Sequence, residues 1–161
     1  MKNYFYSLGL VLIVSGCMNP AAKGPLFDQV ASPAADRSAV YFFRPMENDR
    51  GTVCLNIIMN DDDLGCLGTK GYLYKEMPPG KYIVRFRPNA YPVHTLLKFE
   101  IELVSGDTKF YSYKIGERIT EDTVVSKYTA GGTISIQDVE ESAAAGMLSG
   151  LRNSVLSRAS E

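Results

Sequence analysis

The sequence predicts a mainly β fold, an antiparallel β-sandwich of about seven or eight strands followed by a C-terminal amphipathic helix. Short segments of alternating apolar and polar residues recur along the chain of 161 residues, with turn-forming residues between them. The 10 tyrosines and 7 phenylalanines suit the pleated, half-buried surface of a sheet. Because each such sheet has one apolar face to bury, two sheets packed face to face are the expected arrangement.

The first predicted strands surround a hairpin turn. Residues 38–44 form the first strand, which ends before Pro45 because proline cannot donate a hydrogen bond to a ladder. The segments 52–59 and 64–67 follow on either side of the polar residues 60–63. This pattern of two strand-like runs around a polar turn predicts a β-hairpin.

The later strands obey the same alternation. They are predicted at 72–77, 81–87, 94–104, 109–115 and 133–136. The alternation is cleanest in the segment 94–104, whose apolar face consists of Leu97, Phe99, Ile101 and Leu103. A period of two predicts that this strand buries one face and exposes the other.

The period changes near the end of the chain. From residue 138 to residue 158 the apolar side chains recur every four positions, at Val139, Ala143, Met147, Leu151 and Val155. This spacing predicts an amphipathic helix over 138–158, and its first turn carries acidic residues that suit the positive end of the helix dipole. We expect its apolar stripe to pack against the sheet or against a partner.

The N-terminus has the pattern of a secretory signal. Lys2 precedes the apolar run 8–14, and the small residues Ser15 and Gly16 lead directly into Cys17. The apolar run is too short to span a membrane, which takes about 20 residues. The residues therefore predict a signal peptide over 1–16. The alternatives to cleavage directly before a functional Cys17 are an ordinary signal peptide in which this cysteine occurs by chance, and an uncleaved anchor.

The residues before Cys17 also carry a resemblance. Val14-Ser15-Gly16-Cys17 resembles the lipobox of bacterial lipoproteins, which implies cleavage before Cys17 and lipidation of its thiol. Several acyl chains give stable membrane anchoring. Met18, where Asp would retain a lipoprotein at the inner membrane, implies the periplasmic face of the outer membrane. The Pro-, Ala- and Gly-rich segment 17–36 is predicted to be a flexible tether for one domain over 37–161.

The charge and the motifs exclude several functions. A formal net charge of −1 gives no reason to expect nucleic-acid binding. No phosphate-binding glycine loop or dinucleotide fingerprint occurs. The acidic run 61–63 lacks the spacing of a calcium loop, and one histidine with two cysteines that are expected to pair with each other does not supply a zinc site. His94 is the sole candidate for a catalytic base, and its expected role is an outward position on a strand. We therefore expect no enzyme, no cofactor and no metal.

The two remaining cysteines are predicted to form a disulfide. Cys54 and Cys66 lie at equal distances before and after Asn60, so a hairpin would place them on facing strands. Export to an oxidising compartment would allow the bond to form. Closure of so short a loop would stabilise the fold by about 3 kcal/mol. The alternative is a pair of free, half-buried cysteines.

The expected function is a non-enzymatic binding or scaffold module in the envelope. The candidate contacts are Arg44 at the end of the first strand and a basic strand face formed by Lys81, Arg85 and Arg87. The expected partner is an envelope protein or a cell-wall component. The alternative is a structural or stress-related lipoprotein with transient peptidoglycan or envelope-protein contacts, and a hydrolase is the least favoured function.

A set of turn and strand motifs resembles a known family. The motifs are Tyr41-Phe42-Phe43-Arg44-Pro45, Asn60-Asp61 with Leu64-Gly65, Gly71-Tyr72, and Pro79-Gly80-Lys81. In this order they resemble small proteobacterial lipoproteins that are classed as a domain of unknown function and have a PEGA-like β-domain. The resemblance covers residues 38–115. It implies a strand, a hairpin and a further strand after the Pro-Gly-Lys turn, and it carries no catalytic residues.

Overall fold

The computed structural model describes residues 21–45, 54–89, 95–116, 119–129 and 132–154. This part of the chain contains ten strands and one helix. The strands are β1 (Ser38–Arg44), β2 (Leu55–Met59), β3 (Asp62–Leu67), β4 (Gly71–Met77), β5 (Gly80–Pro88), β6 (Leu97–Leu103), β7 (Thr108–Ile115), β8 (Thr123–Thr129), β9 (Gly132–Asp138) and β10 (Arg152–Asn153). The helix α1 (Glu141–Leu148) lies between β9 and β10.

The strands form two sheets that pack as a sandwich, which confirms the predicted fold class. The larger sheet has the order β10-β4-β1-β7-β9-β8, and the smaller sheet has the order β3-β2-β5-β6. Most neighbouring strands are antiparallel, but β1 pairs with β7 in parallel and β10 pairs with β4 in parallel. The two strands of each parallel pair are far apart in the sequence, since β2 to β6 lie between β1 and β7, and β5 to β9 with α1 lie between β4 and β10.

The main core lies between the two sheets. Phe42 of β1 meets Phe86 of β5 edge to face, with 5.7 Å between the ring centroids, and Phe99 of β6 meets Tyr111 of β7 at 5.6 Å. The strand β6 alternates buried and exposed residues along its whole length, as its sequence predicts. β1 differs, because all of its residues are buried. It is central in the larger sheet, and both faces of that sheet are covered.

The second cover is a layer on the outer face of the larger sheet. Its buried cluster consists of Tyr41, Phe43, Tyr72, Phe110, Ala144, Leu148 and Leu151. The layer is built by α1 and by the segment from Ala21 to Asp36, whose Phe27 packs against this cluster. The rings of Phe27 and Tyr72 meet edge to face at 5.6 Å. The aromatic residues of the sequence therefore serve two cores rather than one.

The predicted tether over 17–36 is not free in its described part. The backbone N–H of Ala22 donates to the carbonyl of Thr69 at 3.0 Å, and that of Phe27 donates to the carbonyl of Leu151 at 2.8 Å. From Ala21 onward the segment therefore belongs to the folded domain. The composition of the segment predicts little structure. The hydrogen-bond partners that order it lie far away in the sequence, so they leave no local pattern. Cys17 and the signal peptide over 1–16 lie outside the described residues.

The predicted helix over 138–158 is wrong in extent. Asp138 ends β9, α1 covers only Glu141–Leu148, and Arg152–Asn153 form a strand. Gly150 adopts a positive φ of 83°, a left-handed conformation that terminates helices. The helix is therefore replaced by backbone pairing with β4, and residues beyond 154 lie outside the described part. None of the described helices is long and apolar enough to cross a membrane.

The predicted hairpin and disulfide are present. Cys54 and Cys66 are bonded, with 5.6 Å between their Cα atoms, and both are buried. The hairpin of β2 and β3 turns at Asn60, which has a positive φ of 52°, and its register shifts between Ile57 and Ile58. The side chain of Asn60 accepts a hydrogen bond from the N–H of Ile83 at 2.9 Å, which attaches the turn to β5.

Candidate functional site

An open groove lies on the outer face of the larger sheet, where β8 and β9 meet α1. Its volume is about 620 Å³. Its charged residues are Glu121, Asp122, Asp138, Glu140 and Lys114. Its apolar residues are Val124, Val139, Ala143 and Met147. We call this feature the acidic groove, because four carboxylates and one ammonium group line it.

One wall is formed where β9 passes into α1. The N–H of Val139 donates to the carbonyl of Phe110 at 2.9 Å, which attaches this junction to β7. Val139 is thereby packed against the outer cluster, while Asp138 and Glu140 on either side of it stay exposed. The carbonyl of Glu140 then accepts hydrogen bonds from Ala143 at 3.0 Å and from the next residue at 2.8 Å, which starts the helix.

The other wall is the turn that enters β8. The N–H of Asp138 donates to the carbonyl of Asp122 at 2.9 Å, so the start of β8 is attached to the end of β9. The N–H of Thr120 donates to the side chain of Thr123 at 3.0 Å and closes the turn. A register shift between Thr123 and Val125 leaves Val124 exposed beside the carboxylates. This wall of the groove therefore carries charged and apolar side chains next to each other.

The electrostatics of the acidic groove favour a positively charged ligand. Desolvation by the surrounding walls raises the pKa of the Asp138 carboxyl, and the negative charges of Glu140 and Asp122 raise it further. Lys109 partly opposes this rise. Burial, with a smaller contribution from Asp138, also raises the pKa of Tyr111. A bound cation would stabilise the ionised form of Asp138 and would relieve the repulsion among the carboxylates.

Arg44, a predicted partner contact, is in the interior. Its side chain is only 2% exposed. The alternation along β1 places Arg44 on the same face as Val40 and Phe42, toward the smaller sheet. Its guanidinium carbon lies 5.4 Å from the centroid of the Tyr113 ring, within the range of a cation–π interaction. The structure therefore gives Arg44 a place in the core and not on a docking surface.

The predicted basic strand face lies on the outer side of the smaller sheet. Arg85 donates from Nη2 to the carbonyl of Asn60 and lies 3.7 Å from the carboxylate of Asp61. It therefore supports the hairpin turn. Lys81 is exposed and stands opposite Glu102 of β6, so the neighbouring strand interrupts the positive charge.

Arg87 has a different environment from Lys81. It is half-buried and stands opposite Asn56, which in turn stands opposite Cys66. The Nε atoms of both Arg85 and Arg87 are buried and have no hydrogen-bond partner. The three basic residues thus share a strand, but they do not form one continuous positive surface.

Within the described ranges, no group of three or more His, Cys, Asp or Glu side chains could hold a metal ion. The acidic turn has a structural role, since Asp63 accepts a hydrogen bond from the N–H of Gly65 at 2.9 Å. His94 lies outside the described residues, and so does the proposed lipid site at Cys17.

The acidic groove is absent from the sequence predictions, because they place no strand at β8. A signal for this strand exists: residues 123–129 are rich in β-branched and aromatic side chains, and two glycines follow at 131 and 132. Such a run before a Gly-Gly pair is typical of a hairpin. That hairpin brings residues 121–122 beside residues 138–140 and so assembles the carboxylates.

The fold and this site define a small mainly-β sandwich with a surface groove suited to binding. Residues 34–127 match a family described as protein of unknown function (DUF2846). The match covers more than half of the chain, so the chain belongs to this family. This confirms the prediction that the chain contains a domain of unknown function. Neither the curated proteins nor the solved structures gave a significant match. The β8 side of the groove lies within the matched region, and the α1 side lies beyond it.

Proposed function

We propose that this chain is a lipid-anchored protein of the bacterial envelope and acts as a non-enzymatic binding module. Its acidic groove takes a cationic segment of an envelope protein. The anchor is the lipidated Cys17, and the location is the periplasmic face of the outer membrane. The relatives expected on this view are proteobacterial lipoproteins with PEGA-like domains.

Two features support export and anchoring. The lipobox-like Val14-Ser15-Gly16-Cys17 follows a positively charged residue and a short apolar run, which is the pattern of a cleaved signal. The disulfide between Cys54 and Cys66 is typical of proteins that fold in an oxidising compartment such as the periplasm. The proposed location is consistent with both.

The acidic groove carries the binding part of the proposal. Lysine and arginine combine a charged head with an aliphatic stem, so they can pair with the carboxylates while the stem covers Val124 and Met147. Hydrogen bonds between ionised groups are stronger than those between neutral ones. A short basic peptide segment with interspersed apolar side chains is therefore the ligand that this groove fits best.

Site-specific cross-linking in intact cells tests this function. A photoreactive p-benzoylphenylalanine in place of Val124 should yield a discrete cross-linked partner. The same residue in place of Glu100, which is exposed on the smaller sheet, should not. The purified protein should also bind an acetylated Lys-Val-Arg-Val-Lys peptide, and Glu121→Lys with Asp122→Lys should weaken this binding about tenfold.

A charge-matched variant provides the control. Glu100→Lys with Glu102→Lys changes the net charge equally but lies on the smaller sheet, so it should leave peptide binding and cross-linking intact. Equal losses in both double variants would contradict a groove-specific site. The protein with the groove substitutions can also be sedimented with isolated peptidoglycan sacculi. If it still binds them as the wild type does, the result would favour the alternative, a structural lipoprotein with transient cell-wall contacts.

A further inference from the structure

The N-terminal segment joins the domain at one particular end. Gly24 donates its N–H to the carbonyl of Asn153 at 2.9 Å, and Asn153 donates back to the carbonyl of Pro25 at 2.8 Å. The guanidinium of Arg152 reaches the carbonyl of Gly24 at 3.2 Å. The segment therefore lies along β10 and the turn between β3 and β4, at the edge of the larger sheet.

Two glycines make this contact close. A Cβ on Gly24 would lie 2.5 Å from the carbonyl oxygen of Asn153. A Cβ on Gly71 would overlap the hydroxyl of Ser154 and lie 2.8 Å from the side chain of Ala22. The path of the chain from Ala22 is thus determined by close packing that leaves no space for a side chain at either glycine.

This end of the domain is positively charged. Lys23, Lys70 and Arg152 are exposed on the three chain segments that meet there, because Arg152 donates its N–H to the carbonyl of Lys70 at 2.9 Å. Leu26, which bridges to Arg152, is 54% exposed. Asp36 and Asp107 are exposed at the opposite end of the strands, near the start of β1. We call the cluster of Lys23, Leu26, Lys70 and Arg152 the basic end.

We infer that the basic end binds the anionic phospholipid headgroups of the membrane that carries the lipid, and so sets the orientation of the domain. The inference rests on the proposed lipidation of Cys17. Four peptide units separate Cys17 from Ala21, which lies beside Thr69. At full extension they span only about 14 Å. The lipid therefore holds this end of the domain, and no other, close to the headgroups.

Charge and apolar contact both suit that surface. Each lysine or arginine near an anionic membrane contributes about a fivefold increase in the equilibrium constant for contact. The attraction decays within about 8 Å at physiological ionic strength. This distance is shorter than the reach of the linker, so the lipid brings the basic end near the membrane and the cations make the contact itself favourable. The exposed Leu26 can enter the interfacial region while the cations stay at the headgroups.

The orientation also directs the acidic groove away from the membrane. The basic end lies at the β10 edge of the larger sheet, and the groove lies at the β8 edge. Five strand-to-strand steps separate these edges, or about 24 Å. An anionic bilayer repels carboxylates, so the charge distribution favours this arrangement at both edges.

Tryptophan fluorescence tests the orientation, because the chain has no tryptophan of its own. The lipidated protein is purified with Leu26→Trp or with Tyr128→Trp, the second being a matched probe on β8 where the side chain is 83% exposed. Each is reconstituted into floating vesicles of phosphatidylethanolamine and phosphatidylglycerol that contain brominated lipid. We expect loss of fluorescence for Leu26→Trp and none for Tyr128→Trp.

Neutralising two cations tests the role of charge. Lys23→Gln with Lys70→Gln leaves the fold contact of Arg152 in place and should lower the equilibrium for membrane contact about 25-fold. The fluorescence of Leu26→Trp should then recover, and 1 M salt should have the same effect. The control is Lys81→Gln with Lys127→Gln, which removes the same charge from exposed positions elsewhere and should change nothing.

Flotation, together with the charge variant, separates three ways in which the inference could fail. Protein that floats with the vesicles but shows equal quenching at both probes would overturn the orientation while leaving the lipid anchor intact. If the fluorescence of Leu26→Trp is quenched equally with and without Lys23→Gln and Lys70→Gln, the role of the basic end is overturned. Protein that carries no lipid and does not float would overturn the proposed anchor, and the orientation with it.

Discussion

Removal of the disulfide between Cys54 and Cys66 should cost the domain about 3 kcal/mol of unfolding free energy. The bond joins residues separated by 12 positions. For a closed loop of this size, the chain-entropy relation gives about 3 kcal/mol at 25 °C, mainly because the bond restricts the unfolded chain. Both half-cystines are buried, so Cys54→Ala with Cys66→Ala also loses a small amount of packing.

Urea unfolding followed by far-ultraviolet circular dichroism measures this cost. The slope of unfolding free energy against urea is about 1–3 kcal/mol per molar for small proteins, so the midpoint should fall by about 1–3 M. The reduced wild-type protein is the essential control. It lacks the bond but keeps both sulfur atoms, and it separates the effect of the cross-link from the effect of lost side-chain volume.

The oxidised, reduced and substituted forms should follow a specific order of stability. The oxidised wild-type protein should be the most stable form, and the reduced wild-type protein should lie close to Cys54→Ala with Cys66→Ala. Oxidised and reduced wild-type proteins that unfold at the same urea concentration would refute the argument. Such a result would mean that the hairpin of β2 and β3 already persists in the unfolded chain.

Three further predictions follow from the core, the acidic groove and the basic end. Phe42→Ala should destabilise the fold by about 3–5 kcal/mol in urea unfolding, because Phe42 is fully buried between the sheets; a loss below 1 kcal/mol would contradict this placement. The raised pKa of Asp138 implies that its contribution to stability is complete below its ordinary value of 3.8 and is lost as the pH rises through the raised pKa. In Asp138→Asn the melting temperature should therefore change less with pH over that range. A profile of melting temperature against pH that runs parallel to the wild-type profile would contradict this prediction. Gly71→Ala should release the N-terminal segment, which hydrogen exchange would detect as lost protection at the Phe27 amide; unchanged protection would show that the overlap is relieved elsewhere.

The elements that the sequence predicts well are those determined by their own side chains. The strand β6 follows from strict alternation, and the hairpin of β2 and β3 follows from two apolar runs around Asn60. β1 was also located correctly, although its pattern gives no sign that both faces are covered. In β6 and in the hairpin, the local period and the buried face agree, so no information from elsewhere in the chain is needed.

The elements that were missed depend on distant partners. The apolar period near the C-terminus continues beyond Gly150, yet the backbone there pairs with β4 and the helix ends. The segment from Ala21 to Asp36 has no periodic pattern, and it is ordered by hydrogen bonds to residues such as Leu151. The acidic groove joins two charged stretches across a hairpin, so no single stretch of sequence contains the site.

The contact between the N-terminal segment and β10 also constrains the order of assembly. Gly24 and Arg152, which share a hydrogen bond, are 128 residues apart. A chain that crosses a membrane from its N-terminus would expose residues 21–27 long before their partner strand arrives. Contacts of such long range form late in folding. The edge of the domain that holds the N-terminal segment would therefore close last, and a nascent chain truncated before β10 would leave that segment open to proteases.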